Sequence, residues 1–526
     1  MKHVPVNRII QALYLLLAGI LYTPLCHYLD CNDTLQYLIL ARHYASGDLM
    51  HAINSYWGPL LSWLLVPFTA IGLEGFFALK MIELAIGFAV LTLTCLLIDR
   101  RNPSPATALF FKLAAIPLIA SFALLNGTPD LLALCWMLSL LSLLSEPEKY
   151  FSSMRNALIC GLLGVMLYFT KTAGFFFFLI LFSVLHFCFF LFRKETNRIR
   201  IARFFISGTA VFLLGSSLWM LMLSESSGKL SFSSSGRYNF GIIGPAVNPE
   251  VYGELNHPFY MGKLYEPANP VALNAWENPA AAPVPSWSPF HSKPELMHYF
   301  RVIWKNIRSI QSYNFGADPG TILILGWITL LLFRWKQALD FFSQNLIHLL
   351  FPVLLSTIYI LVLVNHRYVW LNDLVILILA ADLALRLAGI KKLIAFAFAA
   401  AFLLLVSYQS WTDIKPCLND GTANWKAGKA FATLEPGPGR VASLSSDLQY
   451  SYDYSSLVCY LSGKKYLGIQ TTTNKGQADP SAIFEKFNVK YIFAWGKYPN
   501  PDSLMPGRTR LLISYPEARL NIYTFQ

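Results

Sequence analysis

The sequence predicts a multi-span, all-α membrane protein that carries a small external α/β domain at its C-terminal end. Three observations predict it. Of the 526 residues, 55% are hydrophobic and only 13% are charged, about half the ~25% charged residues of a soluble globular domain. The apolar residues gather into runs approaching the ~20 residues that cross a bilayer as a helix. The basic residues cluster between those runs: Arg100 with Arg101; Arg193, Lys194, Arg198, Arg200 and Arg203; Arg334 with Lys336; and Lys391 with Lys392.

Taken in order, the spans are expected at 9–26, 76–98, 105–125, 130–145, 156–170, 173–192, 204–223, 320–334, 346–364, 368–388 and 393–410, about eleven in all. Lys2 and Arg8 precede the first run, which has no small-residue cleavage site, so it is read as a retained span with its N-terminus inside. Counting from there places every basic cluster on the cytoplasmic side, as the positive-inside rule requires, and the C-terminus outside. The net charge of +12 is thereby assigned to membrane topology, and no nucleic-acid partner is expected.

The external face then holds 27–75, the turns at 126–130, 170–173 and 365–368, the long segment 224–319 and the tail 411–526. Within the first loop, Asp33, Tyr37 and Ala41 share one helix face at i, i+4, i+8, and "SGD" at 46–48 ends that helix. "YWGPLLSWLLVPF" (56–68) is too short to span and suits the membrane interface. Segment 224–319 shows no strong helical pattern. Its aromatic content argues against disorder, and aromatics with Asn and Asp suit a surface that stacks on sugar rings. In the tail, "RVASLSS", "KYLGIQ", "VKYIFAW", "RTRLLISY" and "LNIYTF" read as strands, "SSLVCYLSG" and "PSAIFEKFN" as helices. The expected domains are 1–410, transmembrane, and 411–526, external.

Four polar features recur at external span ends: Asp30 with Asp33, "NGTPD" ending in Asp130, "FTKT" with Lys171, and "NHRY" with Arg367. Each has a bland reading, as a helix cap, a snorkelling lysine or a headgroup contact. Together they fit one chemistry. A carboxylate can be the general base for an acceptor hydroxyl, and fixed cations can stabilise a phosphate leaving group. Walker A, HExxH, GxSxG and dinucleotide motifs are absent from the sequence. The histidines show no metal-ligand spacing. The motifs point to no particular cofactor, and a divalent cation (Mg2+ or Mn2+) on Asp33 or Asp130 is compatible with the pattern.

The ordered blocks "DTLQYLILARHYASGD" (33–48), "YWGPLLSWLLVPFTAIG" (56–72), "NGTPDLLALCWMLSLLSLL" (126–144), "GLLGVMLYFTKTAGFFFF" (161–178) and "NHRYVWLNDLVILILAADLAL" (365–385) resemble the GT-C fold membrane glycosyltransferases. The resemblance is to the branch with the protein O-mannosyltransferases and the lipid A aminoarabinose transferase. It implies an inverting transfer from a polyprenyl-phosphate sugar donor to a lipid, polysaccharide or protein acceptor among membrane lipids. By position, Asp33 would be the catalytic base, Asp130 would organise the site, Lys171 and Arg367 would hold the lipid phosphate, and Tyr37, Tyr368 and Asp30 would support them. Two positions depart from the pattern: Thr34 where relatives often have Glu, and Trp57-Gly58-Pro59 where the aminoarabinose transferase type has Lys before Pro-Pro.

Two other classes fit less of the sequence. A transporter or flippase of lipid-linked glycans would carry ionisable groups near the midplane and repeated halves; here only Lys80, Glu83, Asp373 and Asp382 lie inside spans, and no repeat is visible. A receptor built on the external domain leaves Asp33, Lys171 and Arg367 unexplained. The sequons Asn32-Asp33-Thr34 and Asn126-Gly127-Thr128 both fall at the candidate site, where a glycan would obstruct it. A bacterial inner (cytoplasmic) membrane, with the site facing the periplasm or exterior, is therefore expected. Cys26, Cys31, Cys417 and Cys459 lie in external segments, where disulfides remain open.

Overall fold

The computed structural model describes residues 4–101, 103–192, 197–251, 257–282, 284–315, 319–445, 447–470, 480–496 and 501–526. Arg193, Lys194, Ser446 and parts of the long external segment (252–256, 283 and 316–318) lie outside the described residues. The chain divides into two compact units. One comprises Met1–Thr23, Gly58–Ser233 and Tyr299–Pro416, the other Pro24–Trp57, Ser234–His298 and Cys417–Gln526. Residues 27–57 of the first external loop and 234–298 of the long segment group with the tail from Cys417 onward, while 58–75 belong to the first unit.

The first unit is helical, and the chain is a multi-pass membrane protein. Among the described residues, eight helices are long and apolar enough to cross a membrane. Of the eleven expected segments, the other three form apolar helices of 15, 17 and 15 residues, Asp130–Leu144, Met154–Thr170 and Leu346–Ile360. The segment expected at the interface is the 12-residue helix Pro59–Ala70. Where Met154–Thr170 crosses Arg198–Ser227, a Cβ at Gly161 would lie 2.4 Å from the Gly208 carbonyl oxygen. Small residues permit this approach, the usual basis of helix packing in lipid.

The ionisable side chains inside the spans are committed to helix packing. Lys80 donates to the Leu124 carbonyl. Asp382 accepts from Asn345 and Arg386, and Asp373 faces His366 at 3.0 Å. Arg100 pairs with Glu146 at 2.7 Å, while Arg334, at a kink within Pro319–Gln344, donates to the Gly389 carbonyl.

One expectation is corrected. Segment 224–319 contains the 23-residue helix Lys293–Phe315. Its apolar residues Met297, Phe300, Trp304 and Ile307 recur at helical spacing on an exposed stripe, beside the exposed Arg301 and Arg308. That is the pattern of a helix lying in a bilayer interface.

The second unit holds the α/β part. Its strands are β1 (Arg440–Leu444), β2 (Lys465–Gln470), β3 (Tyr491–Trp495), β4 (Thr509–Tyr515) and β5 (Leu520–Phe525), in the order β2-β1-β3-β5-β4. β2, β1 and β3 run parallel, and β5 and β4 add antiparallel. Each parallel connection passes through a helix, Leu448–Ser462 between β1 and β2 and Pro480–Lys486 between β2 and β3. Leu444, Leu467, Phe484 and Ile492 centre the core. The long segment covers the sheet edge: Tyr265 N–H donates to the Leu467 carbonyl and Tyr466 N–H to the Leu273 carbonyl, both at 2.7 Å. The five expected strands are present. The helix Thr422–Leu434 was not expected. Among the described residues, Cys26, Cys31, Cys417 and Cys459 form no disulfide.

Candidate functional site

In the first unit, three helix ends bring Asp130, Lys171 and Arg367 together. Asp130 opens its helix directly after Pro129, where a carboxylate complements the helix dipole. Lys171 ends Met154–Thr170, its extended backbone (φ −149°) breaking the helix. Arg367 sits in the short 3-10 turn His366–Val369, whose start is capped by the Asn365 side chain. All three positions follow from hydropathy, since polar residues stop apolar helices at the membrane boundary.

Lys171 Nζ donates to Asp130 Oδ1 at 2.5 Å. Asp130 Oδ2 accepts from the Thr128 hydroxyl at 2.7 Å and faces Arg367 Nε at 3.8 Å. The Lys171 ammonium lies 4.0 Å from the centre of the Tyr368 ring, a cation–π contact, and Tyr368 stacks on Tyr359 at 4.9 Å. The Asp130 side chain is 3% exposed, Lys171 22% and Arg367 12%. Burial works against the Lys171 charge, but Asp130 together with Tyr359 and Tyr368 holds the ammonium above the ordinary lysine range. The cluster lines a cavity otherwise walled by apolar side chains, including Leu134, Met137, Leu167, Phe177 and Leu355. Its lining combines two cations with apolar side chains, the chemistry that an anion with an apolar tail calls for.

Gly58 fits closely beside this cluster: a Cβ there would lie 2.3 Å from the carbonyl oxygen of Thr170, the residue before Lys171.

In the second unit, Asp33 opens the helix Asp33–Ala45. Its Oδ1 accepts from Trp276 Nε1 at 2.9 Å, across 243 residues of chain. Trp276 packs on His257 (ring centres 4.4 Å apart) and on Trp57 (5.8 Å). His257 Nδ1 accepts from Phe259 N–H, so the neutral ring carries its proton on Nε2 and donates it to the Tyr238 hydroxyl oxygen. Burial pushes His257 down to about 3, against a smaller opposing pull from Asp33. Tyr37 is buried and meets Trp57 edge to face at 5.5 Å. Asp30 precedes the helix and accepts from the Thr34 hydroxyl at 2.7 Å.

Two aromatic residues of the long segment present no open face to a sugar ring. Trp276 and Tyr238 are 8% and 3% exposed and pack on one another as core. Trp276 and His257 were missed by sequence reasoning, and no local signal marks them. Among the described residues, no three His, Cys, Asp or Glu side chains converge to hold a metal ion. A cation at Asp130 would displace Lys171 from Oδ1 and Thr128 from Oδ2.

No family model matches the sequence, and no curated protein matches it. Solved structures do match. ArnT from Cupriavidus metallidurans in the apo state is 13% identical with a TM-score of 0.54, over 98% of this chain and 97% of that one. The chain has the GT-C fold. The structure of the same ArnT bound to undecaprenyl phosphate gives a TM-score of 0.53 at 13% identity over the same shares. The archaeal oligosaccharyltransferase AglB from Archaeoglobus fulgidus, solved with an inhibitory peptide and a dolichol-phosphate, gives 0.52 at 12% identity over 93% of this chain and 69% of that one.

Proposed function

We propose that this GT-C protein is an inverting glycosyltransferase, moving a sugar from a polyprenyl-phosphate donor to a hydroxyl of a lipid, polysaccharide or protein acceptor. The observation that carries the reading is the meeting of Lys171, Arg367 and Tyr368 around Asp130 in an apolar-walled cavity. That combination suits a phosphate attached to a hydrocarbon tail. The solved ArnT and AglB complexes, holding undecaprenyl phosphate and dolichol-phosphate, support it.

In this reading Asp130 keeps two cations oriented before the donor arrives. The bond between the sugar anomeric carbon and the phosphate oxygen breaks, and that oxygen keeps the electron pair. Lys171 and Arg367 stabilise the charge developing there, the kind of preorganised electrostatics that contributes most to many enzymes. The acceptor oxygen bonds the anomeric carbon from the opposite side, and its proton passes to Asp33, which Trp276 orients. The products are the glycosylated acceptor and the polyprenyl phosphate. The site faces the periplasm or exterior of a bacterial inner membrane.

The test is mass spectrometry of envelope lipids and glycans from cells lacking the protein, complemented with wild type or Asp33→Asn at matched levels. A sugar mass restored by wild type alone is the expected result and identifies the acceptor. Equal restoration by both would replace the base assignment with a transport role.

A further inference from the structure

Tyr359, in the last turn of Leu346–Ile360, lines the cavity together with Arg367 and Tyr368 from the turn that follows. Between them the backbone is gripped by the interfacial helix Lys293–Phe315, whose residues from Tyr299 onward belong to the first unit. The Asn306 side-chain amide donates to the Ile360 carbonyl at 2.9 Å and to the Val362 carbonyl at 3.2 Å. The Tyr299 hydroxyl donates to the Leu361 carbonyl at 3.0 Å. Carbonyls at a helix end have no intrahelical N–H left to meet them, and here three in succession are met by side chains of one neighbouring helix. The Tyr313 ring lies 5.1 Å from that of His366, the residue before Arg367, and Asp373 holds His366 at 3.0 Å. Tyr299, Asn306 and Tyr313 stand seven residues apart in turn, which puts them on one helix face. Asn306 is buried, while Phe300, Trp304 and Ile307 keep to the exposed stripe.

We propose that Asn306 is a positioning residue for the lipid-phosphate site: by holding the Ile360 and Val362 carbonyls, it fixes the helix end that carries Tyr359 and the link that leads to Arg367 and Tyr368. The proposal rests on the reading of Lys171 and Arg367 as the phosphate cations. An amide suits the task. Its two N–H groups meet two carbonyls, and, being neutral, it adds no charge to the field at the cations. An apolar side chain would leave both carbonyls unmet, and a carboxylate would oppose them. Because the same helix carries the apolar stripe of an interfacial segment, the grip ties the Arg367 link to the headgroup level, where a lipid phosphate lies.

The experiment titrates undecaprenyl phosphate into the purified full chain in detergent, at equal amounts of folded protein judged by size-exclusion chromatography. Wild type is compared with Asn306→Ala, Arg367→Ala, the double variant and Tyr299→Phe. Asn306→Ala is expected to raise the Kd roughly five-fold or more, a coupling usual for residues joined through a backbone shift. Where Arg367→Ala has already removed the cation being placed, the same change should raise it by no more than about two-fold. A part in folding alone would not produce that difference between backgrounds. A wild-type Kd in Asn306→Ala overturns the proposal, and so does an equal factor with and without Arg367. Should Asn306→Ala fail to fold, Tyr299→Phe decides: a raised Kd supports the proposal, and a wild-type Kd overturns it. An unchanged Kd in Arg367→Ala would overturn the phosphate-site reading and the proposal with it, whereas an unchanged Kd in Asn306→Ala alone overturns only the proposal.

Discussion

Asp130 holds Lys171 by one carboxylate oxygen at 2.5 Å while its other oxygen faces Arg367 at 3.8 Å. One buried anion thus organises two cations contributed by different helix ends. Removing it leaves them unneutralised. Breaking a buried pair from one side costs about 3–5 kcal/mol, and the partial exposure of Lys171 argues for the lower part of that range. Asp130→Ala is therefore expected to lower the melting temperature of the detergent-solubilised protein, and Asp130→Asn to do so less. An unshifted melting curve in Asp130→Ala would show that the pair carries no stability.

Lys171→Ala and Arg367→Ala should each weaken binding of undecaprenyl phosphate. Loss of one charge-assisted bond is worth about 1.5–3 kcal/mol, a ten-fold or greater rise in Kd. Because Asp130, with Tyr359 and Tyr368, holds Lys171 above the ordinary lysine range, the ammonium stays charged through neutral and mildly alkaline pH. Its contribution is present below the unfolded-lysine pKa and is lost only as pH rises through the higher folded value. Binding should then be flat between about pH 7.5 and 9, above the second ionisation of the lipid phosphate itself at about 6, as titrated with the lipid in detergent. Wild-type affinity in both variants would remove the phosphate-site assignment.

Trp276→Phe keeps the ring that packs on His257 and Trp57 but removes the N–H donated to Asp33. The loss is worth about 1.5 kcal/mol for a bond to a charged acceptor that is partly solvated. Transfer should fall roughly ten-fold with the lipid affinity unchanged. A variant at full rate would mean that Asp33 needs no orienting donor.

These residues were unequally legible in the sequence. Asp130, Lys171 and Arg367 could be found because apolar runs end at them, and hydropathy alone puts such ends at the membrane boundary. Helix and strand types in the tail were legible for a similar local reason, short β-branched and aromatic runs broken by turns. The helix Lys293–Phe315 was hidden because Lys293, Glu295, Arg301, Lys305 and Arg308 interrupt its apolar stripe and leave no continuous run. Trp276 was one of 13 tryptophans, and what singles it out is a contact spanning 243 residues.

The acid stability of the second unit should carry the signature of His257. Its folded pKa is about 3, below the ~6.5 of an unfolded histidine. As pH falls below 6.5 the unfolded chain takes up a proton that the folded one refuses, so stability is lost between 6.5 and 3. His43 acts with the opposite sign. The Glu277 bond, with Asp48 adding and burial opposing, raises it, so its contribution is present below the unfolded pKa and lost as pH rises through the folded one. His257→Gln should flatten the fall in melting temperature between pH 6.5 and 4.5, and His43→Gln should steepen it. Parallel curves for wild type and His257→Gln would mean that the ring is protonated in the folded protein.

Gly58 gives the most specific steric prediction. A methyl group there would sit 2.3 Å from the Thr170 carbonyl oxygen and 2.6 Å from that of Phe169, both backbone atoms that no rotamer change can clear. Overpacking of this kind costs about 1–3 kcal/mol. The strain falls on the residue immediately before Lys171, so the ammonium must move with it. Gly58→Ala should therefore raise the Kd for undecaprenyl phosphate along with lowering the melting temperature. Gly72→Ala, at a left-handed position with nothing within 4 Å of the added Cβ, should lower stability alone. Binding lost to the same degree in both would mean that general destabilisation, and not displacement of Lys171, accounts for the effect.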